Sequence, residues 1–276
     1  MNNFLTRTLT GAIFLVVMTG GILWNLWSYI ALFSAIALLG LWEYYSLMDK
    51  QEKGVQKIPG MMLGAILIAA SCGKYFFEVH SILKFPGIHL IILLFPLYLI
   101  VKLFGKDTKF EALSPTLFGI LYIILPFCYL LLYYSSVSYY NSENNARIIL
   151  GFFFLIWSND TFAYLVGRAM GRTKLFERIS PKKTREGTLG GVICTQGVAY
   201  LLSIYFTELA PIHWHAIALI VSITGTLGDL VESMFKRSLG VKDSGTILPG
   251  HGGILDRFDA VLIAAPFVVA YLMMLC

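Results

Sequence analysis

KRSLGVKDSGTILPGHGGILDRFD, residues 236 to 259, holds seven formally charged residues among 24, in a chain of 276 residues whose charged fraction is 13%. Apolar segments of membrane-spanning length lie on both sides of it. The chain is 57% hydrophobic with a mean hydropathy of +0.74, far from the composition of a soluble domain. Its apolar runs are too long, and too free of alternation, for barrel strands of roughly ten residues. Their backbone groups must then be satisfied within helices. The expected fold is all-α: a polytopic integral membrane protein, one domain over residues 1–276, with about nine transmembrane helices.

Along the chain the expected spans fall at 9–24, 26–48, 59–79, 86–104, 114–140, 146–169, 188–208, 211–235 and 258–276. Gly, Pro and Asn punctuate the joints, as in Ile58-Pro59-Gly60 and Phe85-Pro86-Gly87. The lone Arg7 precedes the first run, the second follows directly, and no small-residue cleavage site stands between them. A retained first helix is expected. Nine spans leave three of the 21 Lys and Arg, namely Lys74, Lys84 and Arg147, on one side and the other 18 on the side of the N-terminus. The positive-inside rule makes the 18-residue face cytoplasmic and puts the C-terminus outside. That face can attract anionic headgroups and phosphate-bearing substrates.

Cys72, Cys128, Cys194 and Cys276 are scattered through apolar segments without a C-x-x-C pair, which argues against a disulfide framework or a zinc site. His213-x-His215 reads as interfacial packing beside Pro211 and Trp214. Acids inside apolar runs say more, because a charge at the bilayer centre costs roughly 2.5–3.5 kcal/mol on insertion scales and is kept for a hydrated interior. Asp229 and Glu232 share one face of the eighth span, and Asp256 and Asp259 repeat the spacing where the ninth begins. Such hard oxygens suit Mg2+, which takes one or two carboxylates together with water and substrate phosphates. Glu232 and Asp259 can equally be supporting groups around the ligands.

Between the two pairs, five glycines in residues 240–253 let the backbone approach a ligand, and Lys236, Arg237, Lys242, His251 and Arg257 supply donors for a polyphosphate. No GxxxxGK[ST] P-loop is present. A second polar block, residues 158–191, contains seven cations and the intramembrane Asp160 beside Ser158 and Thr161. Ser180-Pro181-Lys182-Lys183-Thr184 lies just before the seventh span, at headgroup level.

The run S-x-x-K-R-x-x-x-x-K-D-x-G-x-x-x-P-G-H-G-G-x-x-D-R-x-D, from Ser233 to Asp259, resembles the signature of the phosphatidate cytidylyltransferases, or CDP-diacylglycerol synthases. Asp160-Thr161-x-Ala163-Tyr164, with Ile179 to Thr184 and Glu186-Gly187, is similar to that family's second motif. The recognisable pattern therefore lies within residues 158–191 and 225–259, and the first 150 residues match only in hydropathy. Where the family usually has Trp before Glu-Gly, this chain has Arg185.

The resemblance implies that CTP and phosphatidate give CDP-diacylglycerol and pyrophosphate in phospholipid synthesis. It implies Asp229, Asp256, Lys236 and Lys242 as catalytic residues, and Asp229 and Asp256 as metal ligands assisted by Glu232 and Asp259. Asp160, Ser180, Lys182, Lys183, Thr184, Arg237, Asp243, His251, Gly252, Gly253 and Arg257 would bind substrates. The cofactor would be Mg2+, with room left open for a second, monovalent, cation. The partners would be CTP, the lipid and the membrane, bacterial inner membrane by preference; a homodimer is suggested and no nucleic acid is expected. Two other readings compete. A secondary transporter would spread polar groups through the full membrane depth, and a CTP-using polyprenol kinase would release CDP instead of pyrophosphate.

Overall fold

Apolar runs that must satisfy their own backbone in lipid become helices. The computed structural model describes residues 3–50, 55–76, 113–136, 142–245, 247 and 252–275. Its elements are α1 (Asn3–Leu23), α2 (Leu26–Lys50), α3 (Lys57–Phe76), α4 (Leu113–Gly119), a π-helical stretch (Ile120–Ile124), α5 (Leu125–Ser136), α6 (Ser142–Met170), β1 (Lys174–Phe176), β2 (Ser180–Thr184), α7 (Arg185–Tyr205), α8 (Pro211–Ser238) and α9 (Leu255–Met274). The expected span 86–104 lies outside the described residues.

Among the described residues six helices are long and apolar enough to cross a membrane: Leu26–Lys50, Ser114–Tyr134, Asn145–Met170, Arg185–Tyr205, Pro211–Ser238 and Leu255–Met274. The first and third expected spans appear as shorter apolar helices, Thr8–Leu23 and Lys57–Cys72. The protein is thus an all-α, multi-pass molecule with six such helices among the described residues, fewer than the nine read from hydropathy. One small element was not expected. Strands β1 and β2 pair antiparallel between α6 and α7, with Lys174 opposite Thr184 and Phe176 opposite Ser180.

Local sequence sets the joints. Between α1 and α2, Asn25 Oδ1 accepts from Ser28 N at 2.8 Å while Ser28 Oγ accepts from Asn25 N at 3.1 Å, the reciprocal pattern of a capping box. Thr184 caps α7 by accepting from Gly187 N at 3.2 Å. Pro211 stands at the start of α8, where its missing N–H costs nothing.

Helix α9 is the hub, packed against α8, α5, α2 and the π-helical stretch. Its Phe258 ring meets Phe14 of α1, Phe127 of α5 and Phe153 of α6, with ring centroids 5.9, 5.8 and 6.5 Å away, all edge-on. Between helices that pack in lipid, close approach comes from small residues. A Cβ added at Gly228 of α8 would lie 2.7 Å from the Asp259 carbonyl oxygen and 3.2 Å from Ala260 Cα. This glycine lets α8 and α9 touch at the level where Asp229 and Asp259 stand. His213 and Tyr271 are hydrogen bonded at 2.9 Å, and His215 and Gln196 at 2.8 Å, so both histidines are tied into helix packing. Cys72, Cys128 and Cys194 are free thiols.

Gly228→Ala is expected to lower the thermal unfolding midpoint in detergent by the equivalent of about 1–3 kcal/mol, the usual cost of overpacking. Gly20→Ala, whose added methyl would have no neighbour within 4 Å, should leave it unchanged or raise it. Equal midpoints for the two variants would contradict the α8–α9 contact.

Candidate active site

A cavity of about 490 Å³ opens where α6, α7, α8 and α9 meet the β-hairpin. Its acids come from three helices: Asp160 of α6, Asp229 of α8, and Asp256 and Asp259 of α9. The same cavity is lined by the cations Arg168, Lys182, Lys183 and Arg257, and the hydroxyls of Tyr164, Thr184, Thr188 and Thr226 add to the polar lining.

Each wall follows from the local fold. On α6, Asp160, Tyr164 and Arg168 recur every fourth residue and so form one stripe facing the cavity. Ser158 and Thr161 do not join it; their hydroxyls donate to the carbonyls of Leu155 at 2.9 Å and Trp157 at 2.7 Å. The hairpin is held over the cavity by Glu186, whose carboxylate accepts from the backbone N–H of Arg172 at 3.0 Å and of Thr173 at 3.1 Å. Arg185 N donates to Thr173 O at 2.9 Å. Beneath it α6 and α7 nearly touch, since a Cβ at Gly187 would lie 2.7 Å from Ala163 O and 2.8 Å from Gly167 Cα. This close packing brings Lys183 into an ion pair with the half-buried Asp229.

Behind the cavity the charges are paired inside the protein. The Lys236 ammonium lies 2.5 Å from Glu232 and 2.6 Å from Asp256, with all three side chains largely buried. Asp256 also accepts from Ser244 N at 3.0 Å and Gly253 N at 2.8 Å. Among the described residues Glu232 Oε1 meets no hydrogen-bond donor, and neither does the buried Asn159 Oδ1 on the cavity wall.

The cavity thus gathers Asp160, Lys182, Lys183, Thr184, Asp229, Asp256, Arg257 and Asp259 from the residues picked out by sequence. Lys236, Glu232 and Gly253 stand behind it as supports. Ser180 begins β2, and Gly252 takes φ +86°, a backbone state suited to glycine. Arg237 is exposed and donates to Val241 O at 3.2 Å, and Lys242 and Asp243 are exposed outside the cavity. His251 lies outside the described residues. Asn159, Tyr164, Arg168, Thr188 and Thr226 were missed as site residues; the four-residue period from Asp160 was the available signal for two of them.

Among the described residues no three acidic, histidine or cysteine side chains form a ready cage for a metal ion. The donor set is nonetheless of the right kind. Four aspartates share one cavity with cations suited to phosphate, and Mg2+ needs only one or two of them beside water and phosphate oxygens.

The sequence model of the cytidylyltransferase family matches residues 5–275. The chain belongs to the cytidylyltransferase family. It is 37% identical over 269 residues to a phosphatidate cytidylyltransferase of Staphylococcus saprophyticus, covering 95% of this chain and 96% of the relative. A phosphatidate cytidylyltransferase of Staphylococcus haemolyticus is 35% identical over 273 residues, with 95% and 96% covered. One of Staphylococcus aureus is 48% identical over 132 residues, with 47% and 50% covered. The protein is accordingly a nucleotidyltransferase, and its cavity is the candidate site of cytidylyl transfer.

Breaking a buried charge pair on one side leaves an uncompensated charge and costs about 3–5 kcal/mol. Lys236→Met should therefore lower the thermal midpoint strongly, and Lys236→Met combined with Glu232→Gln should recover part of the loss. No recovery in the double variant would mean that Glu232 and Lys236 are not coupled.

Proposed function

We infer that the protein transfers the cytidylyl group of CTP to phosphatidate, giving CDP-diacylglycerol and pyrophosphate. The observation that carries this reading is one cavity in which aspartates from three membrane helices meet the lysines of the hairpin. It sits at helix ends, within reach of both a lipid headgroup and a water-soluble nucleotide. Near-full-length similarity to proteins named for this reaction supports it.

In the reaction an oxygen of the lipid phosphate forms a bond to the α-phosphorus of CTP while the bond from that phosphorus to the bridging oxygen breaks. Pyrophosphate carries away the electron pair. Two anions must be aligned and growing negative charge neutralised, with little demand for a protein nucleophile. Lys182 and Lys183, on the hairpin at headgroup level, hold the lipid phosphate. Arg168 and Arg257 add positive charge to the cavity, and Lys242, Arg237, Ser180, His251 and Gly252 are assigned to the triphosphate by the family motif, with Gly253 supporting them by holding Asp256 through its N–H. Asp229 and Asp256 would hold Mg2+, with Asp160, Glu232 and Asp259 as further acids and a second, monovalent, cation accommodated among them. When bound, the divalent ion supplies charge neutralisation on the phosphates and templates their approach. Lys236 keeps Asp256 oriented, and Asp243 balances the cations of the loop.

A nine-span arrangement with the N-terminus cytoplasmic and the C-terminus outside fits the charge distribution. Arg168, the hairpin lysines, Lys236 and Arg257 all gather at the cavity end of α6–α9, and Arg147 stands at the start of α6, paired with Glu208 at 3.0 Å. The cavity then faces the cytoplasm of a bacterial cell, where CTP is made, and a homodimer in the inner membrane is consistent with this layout.

Purified protein in detergent with phosphatidate, CTP and Mg2+ should release pyrophosphate and form CDP-lipid. Asp229→Asn and Asp256→Asn should each lower kcat at least about 100-fold, the scale of losing a preorganised electrostatic group. Asp229→Asn should fold with a near-wild-type thermal midpoint, Asp256→Asn should fold with a lowered one because it takes one of the two acids from the buried Lys236, and excess Mg2+ should restore part of the activity of each. Near-wild-type turnover of either variant at low Mg2+ would exclude the assigned role. For orientation, a cysteine at position 242 should react only with reagent on the cytoplasmic side, and one at position 142 only from outside; labelling of both from one side would overturn the nine-span arrangement.

A further inference from the structure

Glu43 is a buried acid in the apolar helix α2, 4% exposed, and it does not line the cavity. Its partners come from a distant part of the chain. The carboxylate accepts a hydrogen bond from Ser244 Oγ and another from Ile254 N at 2.7 Å. A buried carboxylate with no cation paired to it among the described residues draws its stabilisation from such donors.

The same two chain positions also serve Asp256. Ser244 donates its hydroxyl to Glu43 and its backbone N–H to Asp256, while at the other end Ile254 N donates to Glu43 and Gly253 N to Asp256. Residues 244 and 253–254 are therefore drawn together at a neck gripped from both sides, by one acid from α2 and one from α9. The fit leaves no room for a side chain at Gly245 or Gly253. A Cβ on Gly245 would lie 2.7 Å from Glu43 Cδ, and one on Gly253 would overlap the Glu43 carboxylate. The glycines of the loop thus have a specific reason at these two positions, beyond close approach to a ligand.

We propose that Glu43 is a positioning residue for the transfer reaction: from helix α2 it clamps the neck of the glycine-rich loop and so holds Asp256 towards the cavity. The role in catalysis rests on the reading of that cavity as the transfer site; the clamp itself does not. It ties helix α2, in the part of the chain that carries no motif, to the site's geometry through hydrogen bonds as well as packing.

The test uses the full chain in detergent, with Glu43→Gln, Glu43→Ala and Ser244→Ala. Glu43→Gln keeps the shape but replaces one acceptor oxygen by an NH2 group that cannot receive a donor. Hydrogen exchange of the backbone amides of residues 244–255 should quicken at least about tenfold in Glu43→Gln and more in Glu43→Ala, with exchange in α7 unchanged. The value of kcat should fall at least about tenfold while KM for phosphatidate, held by the hairpin, stays within about twofold. Ser244→Ala, which removes one donor and leaves Ile254 N in place, should move both readouts in the same direction by less, and it decides the matter if the Glu43 variants do not fold. Unchanged exchange across 244–255, or unchanged kcat with wild-type protein active, overturns the proposal. If wild-type protein makes no CDP-lipid at all, the functional reading fails, and the exchange measurement still decides the clamp.

Discussion

The site depends on one ammonium buried between two carboxylates. Lys236 stands 2.5 Å from Glu232 and 2.6 Å from Asp256, at the end of a helix long enough to cross a membrane. Charges removed from water are tolerable only when paired and hydrogen bonded. The lysine thereby permits a concentration of acids that would otherwise repel one another in an apolar bundle. Lys183 does the same from the hairpin for Asp229. The cations that stabilise the protein are therefore neighbours of those placed to meet substrate phosphates, and the acids they hold are the ones a divalent ion would use.

Packing converts that electrostatic arrangement into a defined cavity. Gly228 allows α8 and α9 to meet beside Asp229 and Asp259, Gly187 lets α7 lie on α6 beneath the hairpin, and Phe258 anchors the first turn of α9 among aromatic rings. The π-helical stretch Ile120–Ile124 interrupts the helix that packs against α9, a feature often found near functional sites. Motif residues thus sit on elements whose positions are fixed by small residues and rings elsewhere in the sequence.

Much of this was legible in advance where a single physical cost dominates. Apolar runs had to be helical, and eight of the nine appear so among the described residues, although α1 and α3 fall short of crossing length by apolar window. Acids in apolar runs had to be functional or paired, which singled out Asp160, Asp229, Asp256 and Asp259. What could not be read is pairing at a distance. Nothing in Lys183 points to Asp229, and Glu43 meets Ser244 across 201 positions of sequence. Glu43 falls under the same rule about intramembrane acids, but no glycine-rich turn or paired acid beside it in sequence points to its distant partners. The hairpin escaped notice because strands of three and five residues, polar and ending in a helix cap, have no period to detect. Conversely, Lys242 and Asp243 match the family pattern but stand exposed outside the cavity.

The proposed reaction moves the cytidylyl group, and no other part of CTP, onto phosphatidate. The most direct measurement follows two preparations of CTP, labelled at the α- or at the γ-phosphorus, through a reaction with phosphatidate and Mg2+ and into an organic extract. The α-label should enter the extracted lipid and the γ-label should stay in water as pyrophosphate. Entry of the γ-label into lipid, or of neither label, would contradict the account.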